Sequence, residues 1–278
     1  MTLKQLIKPF VPAPLLAWYS DRGLLAQKGR RVWRGEAGGE PEMRLLPALC
    51  DPAKPSVDIG ANEGGYAWHM RRLSRGLHVF EPLPELARRL SNGFALDRRV
   101  AVHQVALSDR VGTVQLRVPI QGDRANTGLA TIEPGNDLHG AGLQQFDVPM
   151  RTLDSYALQN IGFIKIDVEG HELAVLRGAT DLIEASHPAF LIEAQDLHRA
   201  DAITSITSFL EGFGYHGMFL LAGQLHDIAA FDLALHQHPD ALDAMMDRRP
   251  GHILVNNFIF VTDPGALRRR AQGLELVR

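Results

Sequence analysis

The stretch Val57–Tyr66, VDIGANEGGY, constrains this chain more than any other segment. A short apolar run, Ser56–Gly60, ends in one glycine and passes through Gly64 and Gly65 into an amphipathic segment, Tyr66–Leu73. That pattern is a buried strand turning sharply into a helix. Gly60 permits the turn and lets backbone approach a ligand with no Cβ in the way. Gly64 and Gly65 open the helix, whose free N–H groups favour polar or anionic groups. A tight turn needs the same glycines, so the loop alone does not establish a ligand.

A second apolar run, Leu77–Glu81, ends in an acid 21 positions beyond Gly60. An acid there in a β–α–β unit can accept hydrogen bonds from both ribose hydroxyls, where an unused one would simply be solvated. Loop and acid together favour a nucleoside. The dinucleotide fingerprint G-x-G-x-x-G meets Gly60, Asn62 and Gly65, so its middle glycine is missing. That glycine serves pyrophosphate. Asp58 and Asn62 offer polar side chains instead, which suit the cationic amino acid end of S-adenosylmethionine better than phosphate. The spacing leans toward the methyl donor and leaves a nicotinamide-dependent oxidoreductase as the alternative.

From Pro55 onward, apolar strands alternate with amphipathic helices. After Pro84–Leu90 (helix) come expected strands at Val100–Leu107, Thr113–Val118 and Phe146–Arg151, a short one at Gly128–Ile132, and a glycine-rich loop at Gly135–Gly142. Gly162–Val168, Phe190–Glu193 and Asn257–Val261 read as strands, and His171–Gly178 and Ala202–Gly212 as helices. Such a chain builds a right-handed doubly wound sheet with its ligands at the strands' carboxyl ends. Residues 1–54 read as an N-terminal extension of short helices and turns, irregular around Gly35–Pro41, before a domain over 55–278.

The formal charge of −3 gives no electrostatic reason to expect a nucleic-acid partner. No apolar run reaches the roughly 18 residues of a membrane helix. Pro9, Pro12 and Pro14 interrupt the N-terminal apolar part, so no secretory signal is expected and a soluble, cytoplasmic protein is. Leu3, Leu6, Ile7 and Phe10 form one apolar helical face, expected to pack on its own domain. The single cysteine, Cys50, excludes an intramolecular disulfide and reads as a buried hydrophobe.

Five blocks carry a resemblance: VDIGANEGGY (57–66), VFEP (79–82), VALSDRVGTVQL (105–116), RTLDSY (151–156) and IKIDVEGHELAVLRGA (164–179). Together they resemble the FkbM-type S-adenosylmethionine-dependent methyltransferases, with NNFIFV (256–261) similar to the family's late strand. The resemblance implies a class I methyltransferase, Rossmann-like fold. It is α/β, with a seven-stranded, mostly parallel sheet carrying one antiparallel strand near its end. It implies methyl transfer from S-adenosyl-L-methionine, usually to a hydroxyl oxygen of a sugar or natural product. By motif position, Asp58, Gly60, Asn62 and Gly65 line the methionine end, Glu81 holds the ribose, and Ala106, Leu107, Ser108 and Asp109 lie near the adenine. Asp167 closes the fourth core strand beside the methyl group. Where the family often reads G-M-A-S-L, this chain has GLATI (128–132), with Thr131 keeping the hydroxyl.

An alcohol acceptor must lose a proton near attack, and Asp167, Glu169, His171 and Glu193 are the candidate bases. Asp167 and Glu169 alternate onto the same side of the sheet edge. His171 has the ordinary pKa nearest neutrality, so it suits base duty best; a helix-start histidine touching backbone is its plain alternative. The same cluster has the ligand chemistry of magnesium or manganese, but nothing in its spacing demands a metal and none is expected. His226, His236 and His238 read as loop or surface residues. Trp68 and His69 are expected to pack, and Arg268–Arg270 to form a solvated helix face. The acceptor should be read by Tyr156, the Gly122–Gly142 region and the C-terminal segment. Intact acids at Asp167, Glu169 and Glu193 argue against the other alternative, a binding module that only keeps the donor pocket.

Overall fold

The computed structural model describes residues 13–36, 40–133, 142–196, 201–237 and 254–276. The apolar face at Leu3–Phe10, the loop at Gly135–Gly142 apart from its last residue, and His238 lie outside the described residues.

The described residues open with a long helix, α1 (Ala13–Trp33), and a short one, α2 (Leu46–Leu49). Strand β1 (Ser56–Ile59) leads through the glycine loop to α3 (Gly65–Leu73), β2 (Leu77–Phe80), α4 (Pro84–Phe94) and β3 (Val100–His103). A side excursion follows: β4 (Ala106–Leu107), β5 (Gly112–Gln121), β6 (Arg124–Ala125) and β7 (Gly142–Arg151). The main path resumes with β8 (Phe163–Ile166), α5 (Glu172–Arg177), α6 (Thr180–Ser186), β9 (Ala189–Glu193) and α7 (Ala202–Glu211). It ends with β10 (His216–Leu221), β11 (Gln224–Asp227), α8 (Leu233–His236), β12 (Asn257–Val261) and α9 (Pro264–Ala271).

The main sheet runs in the order β11-β10-β12-β9-β8-β1-β2-β3. Strands β3, β2, β1, β8 and β9 pair in parallel, while β12 is antiparallel to both β9 and β10. The chain order reverses across the β1/β8 boundary, which opens the crevice where such sheets bind ligands. Seven of these strands make the expected sheet. An eighth, β11, adds a hairpin edge to β10. Neither β10 nor β11 stood out in the sequence, because HGMFLL carries no clean alternation.

Three expected elements differ. The run Val100–Leu107 is two strands, not one: His103 ends β3 in the main sheet, and Ala106–Leu107 crosses to pair with β7 in a second sheet ordered β4-β7-β5-β6. Gly128–Ile132 is not a strand; a short 3-10 turn at Thr127–Leu129 is followed by a single bridge between Thr131 and Arg117. The N-terminal segment holds one long helix rather than only short ones. Its packing explains it: Leu25 of α1 lies so close to Gly93 and Gly64 that a Cβ on either would sit 2.6 Å from a Leu25 methyl. Asp21 also accepts from Arg88 Nη1 at 3.1 Å and Asn92 Nδ2 at 2.8 Å.

Leu25, Val32, Met43, Leu45 and Leu49 share one buried core with Val79, Phe163, Met218 and Ile259 of the sheet. The opposite sheet face packs on α5–α7 through Ile59, Ile166, Leu176, Ile183 and Phe258. Trp68 and His69 pack, as expected: His69 Nε2 lies 2.8 Å from Gly29 O, and the His69 ring stacks on Trp33. Cys50 is buried, which pushes its thiol up to about 11. The arginine run is less free than expected, since Arg270 donates to Cys50 O at 2.6 Å. His226 and His236 pack against Phe219, not into a loop cluster. Among the described residues no helix is long and apolar enough to cross a membrane.

Candidate active site

The carboxyl ends of β1, β2 and β8, together with the β4–β5 excursion, line a cavity. Its floor is Ile59, Gly60 and Phe80; its walls include Val105, Ala106, Leu107, Leu116 and Ile132. Glu81 follows β2 on one side of β1, and Asp167 and Glu169 follow β8 on the other.

Gly60 has φ +75°, and a Cβ there would fall 1.8 Å from the Asp167 carbonyl oxygen. The first glycine is therefore required by the close approach of β1 to the chain leaving β8. Asn62 takes the left-handed φ of 50° that asparagine tolerates. Its amide donates to Glu81 Oε2 at 2.7 Å, and the Leu83 amide donates to Oε1 at 2.9 Å. The two bonds fix the Glu81 carboxylate in the cavity wall, and each oxygen keeps a lone pair for a hydroxyl donor. Burial pushes this carboxyl up to about 7 against the pull of those amides.

A second cavity adjoins the first and shares Gly60, Asn62 and Asp167 with it. Asp58, Gly65, Tyr66 and Lys165 line it from the sheet side, and Lys28, Glu40 and Met43 from the N-terminal segment. Asp58 is fully buried, and neither of its oxygens has a well-formed hydrogen bond among the described residues. Burial pushes its carboxyl up to about 6, opposed by nearby Lys165. Such an orphaned carboxyl beside a nucleoside cavity fits a cationic ligand group.

Lys165 is the hub of the acidic end. Its Nζ donates to Asp167 Oδ2 at 2.8 Å and lies 4.7 Å from the Tyr66 ring centre. Asp167, Glu40, Asp58 and Glu193 hold it charged despite burial. Tyr66 OH donates to Glu40 Oε2 at 2.6 Å, and Asn257 Nδ2 donates to the same oxygen at 3.1 Å. Asn256 Nδ2 donates to Glu193 Oε1 at 2.7 Å. Oxygens of Asp167, Glu169 and Glu193 all lie within 4.8 Å of one another. Burial first, then the neighbouring Asp167 charge, raises the Glu169 and Glu193 carboxyls well above the ordinary range.

Glu169 sits in the left-handed region at φ 50°, which strains a residue with a Cβ. Thr131 secures it by donating Oγ1 to the Glu169 carbonyl at 2.8 Å, and the Glu133 amide donates back to Thr131 Oγ1 at 3.0 Å. The GLATI hydroxyl thus locks the loop after β8.

The nominated residues divide. Gly60, Asn62, Glu81, Ala106, Leu107, Asp167 and Glu169 meet around the first cavity. Asp58 and Gly65 line the second. Ser108, Asp109 and His171 line neither. His171 Nε2 lies 2.9 Å from Ser108 Oγ, and Nδ1 lies 2.9 Å from Glu133 Oε2. Both ring nitrogens are thus engaged away from the cavity. Tyr156 packs edge-on against Phe80 and His103 beneath the cavity floor.

Sequence reasoning missed Lys165, Glu40, Gln195 and Glu172. Lys165 had a readable signal, since a lysine inside the apolar run FIKI must have a buried partner. Glu172 is fully buried, accepts from the Gly170 amide at 2.8 Å, and is pushed by burial up to about 7.

Strand order 3-2-1-4-5-7-6 about β1, the glycine loop and the acid after β2 define a class I methyltransferase fold. The family model described as methyltransferase FkbM domain matches residues 58–216, more than half of the chain. The chain belongs to the FkbM methyltransferase family, whose enzymes use S-adenosylmethionine. One curated relative is the 2-O-methyltransferase NoeI of Sinorhizobium fredii, 29% identical over 155 residues. That match covers 50% of this chain and 63% of NoeI, so the chain spans under two thirds of that relative. Among solved structures, methyltransferase FkbM from Methylobacillus flagellatus KT aligns with a TM-score of 0.46 at 16% identity, covering 88% of this chain and 58% of that one. An rRNA methylase from Streptococcus thermophilus aligns with a TM-score of 0.42 at 9% identity, covering 79% of this chain and 91% of that one.

Proposed function

We propose that this methyltransferase moves a methyl group from S-adenosylmethionine to a hydroxyl oxygen of a sugar, glycan or similarly hydroxylated small molecule. One observation carries the reading: a carboxyl fixed by two backbone amides, Glu81, and two further acids, Asp167 and Glu169, line the same cavity. The residues fit the donor. Glu81 would take the ribose hydroxyls, Ala106 and Leu107 would flank the base, and Asn62, Gly60 and orphaned Asp58 would face the methionine end. When bound, S-adenosylmethionine supplies an electrophilic methyl carbon with a neutral thioether as leaving group.

The chain's own work is alignment and proton removal. Holding reactants in attack geometry contributes roughly 7–11 kcal/mol. The apolar walls Leu107, Leu116 and Ile132 exclude water from the donor end. Asp167, tied to Lys165, stays fixed and orients the acceptor hydroxyl. Glu169, which lines the cavity, is the base when ionised, since burial and the neighbouring Asp167 charge strengthen its hold on a proton. His171 serves as a positioning residue through Ser108 and Glu133. The 2-O-methyltransferase NoeI supports oxygen as the accepting atom. The acid-rich rim supports a small neutral acceptor over nucleic acid.

The test is calorimetric titration with S-adenosylhomocysteine, followed by incubation with labelled donor and a pool of glycans. Binding with transfer to a glycan hydroxyl supports the reading. Binding without transfer to any acceptor would support a donor-binding module instead, and no binding by folded protein would sink both.

A further inference from the structure

A narrow cleft beside the donor site is lined by Asp167, Glu169, Gly170, Glu172, Glu193 and Gln195. Three carboxylates converge there, with one oxygen of each within 4.8 Å of the others. Acidic clusters of this kind are common without a ligand, so the fourth side chain matters more. Gln195 is only 8% exposed. Its Nε2 lies 3.4 Å from Glu193 Oε1. Its Oε1 is buried and has no hydrogen-bond partner among the described residues. A buried amide carbonyl without a donor costs on the order of 1–3 kcal/mol and calls for an explanation.

We propose that Asp167, Glu169, Glu193 and the amide oxygen of Gln195 form a site for one hard divalent cation, of the magnesium or manganese class. Hard cations of this kind take carboxylate and amide oxygens, and they keep waters or substrate oxygens in the remaining positions. The donor set matches that chemistry: all-oxygen, without thiolate or imidazole. The cation would answer two features at once. It satisfies the orphaned Gln195 oxygen, and it offsets repulsion among carboxylates that share a single close ammonium, Lys165.

The surrounding bonds engage one oxygen each of Asp167 and Glu193. Lys165 holds Asp167 by Oδ2, so Oδ1 remains for the cation. Asn256 and Gln195 hold Glu193 by Oε1, so Oε2 remains. Resting on the methyl-transfer reading, a cation here stands where an acceptor hydroxyl must lie, next to Asp167 and Glu169 at the cavity's acidic end. Its role is then to bind acceptor oxygens and ease loss of the proton. It also selects acceptors able to offer two neighbouring hydroxyls to one ion.

The experiment is titration of the full chain with Mn²⁺, followed by the electron paramagnetic resonance signal of the free ion. S-Adenosylhomocysteine binding is measured in parallel by calorimetry. One saturable Mn²⁺ site below about 1 mM is expected. Glu193→Gln and Gln195→Ala should each weaken it by about tenfold or more while leaving S-adenosylhomocysteine affinity within a few-fold. Absence of saturable Mn²⁺ binding by protein that binds S-adenosylhomocysteine normally would overturn the cation site and leave the methyl-transfer reading standing. Unchanged Mn²⁺ affinity in both variants would also overturn it. Mn²⁺ binding by protein that does not bind S-adenosylhomocysteine would support the cation site and overturn the donor assignment.

Discussion

The two ends of the cavity are built by different means. The donor end is local: Asp58, Gly60, Asn62 and Glu81 lie within one β–α–β unit, and backbone amides fix the Glu81 carboxyl. The acidic end is assembled from afar: Glu40, Asp167, Glu169, Glu193 and Asn257 come from across the chain around one lysine. On the proposed reading, donor recognition is a property of a motif and acceptor chemistry a property of the whole fold, and a change at one end should leave the other unmoved.

The largest separation should come from Glu169→Gln. Loss of a positioned base lowers turnover by roughly 10²- to 10⁴-fold. S-Adenosylhomocysteine affinity, read by calorimetry, should stay within a few-fold because Glu81 is untouched. A variant that turns over normally would remove Glu169 from proton transfer. Glu81→Ala should do the opposite. Two hydrogen bonds to a charged acceptor are worth about 1.5–3 kcal/mol each, so affinity should fall on the order of 100-fold. Affinity unchanged by that substitution would show that the ribose is held elsewhere.

The same contrast sets what the sequence disclosed. The turn after β1 was legible because glycine spacing is a local signal; Gly60 is required there by its φ of +75° and by the Asp167 carbonyl that a Cβ would meet. The crossing of Ala106–Leu107 into a second sheet was not legible, since VAVHQVAL alternates through the break at Gln104 and Val105. Nor was the acidic hub: Glu40 lies in a segment with no recognisable pattern, and only the fold brings it to Tyr66 and Asn257. His171 looked suited to proton transfer by its type alone, and sequence could not reveal that Ser108 and Glu133 occupy both ring nitrogens.

Burial of acids at both ends has a thermodynamic consequence. Glu81 and Glu172 are raised to about 7 and Asp58 to about 6 in the folded protein. A raised carboxyl binds its proton more tightly folded than unfolded. Its stabilising contribution is therefore complete below the ordinary carboxyl range and is lost as pH rises through the folded value. The ligand-free protein should lose stability between about pH 5 and pH 8, by on the order of 3 kcal/mol for a carboxyl such as Glu172. Denaturant unfolding at both pH values measures it. Glu172→Gln keeps an oxygen for the Gly170 amide and should flatten the slope; an unchanged slope would remove Glu172 as its source.

The smallest effect expected is that of His171→Ala, and it bears most directly on how the acidic end is held. The ring bridges Ser108, just past β4, to Glu133, next to the Thr131 that clamps Glu169. Removing it breaks two hydrogen bonds at a buried site, which should cost about 1–3 kcal/mol of stability. The Glu169 loop then loses part of its support, so turnover should fall about tenfold, well short of the Glu169→Gln loss. The pH dependence of kcat distinguishes the two roles. If His171 only positions Glu169, the variant keeps the wild-type profile at a lower plateau. If His171 accepts the proton, the limb that reports its ionisation disappears, and base duty passes from the carboxylate to the imidazole.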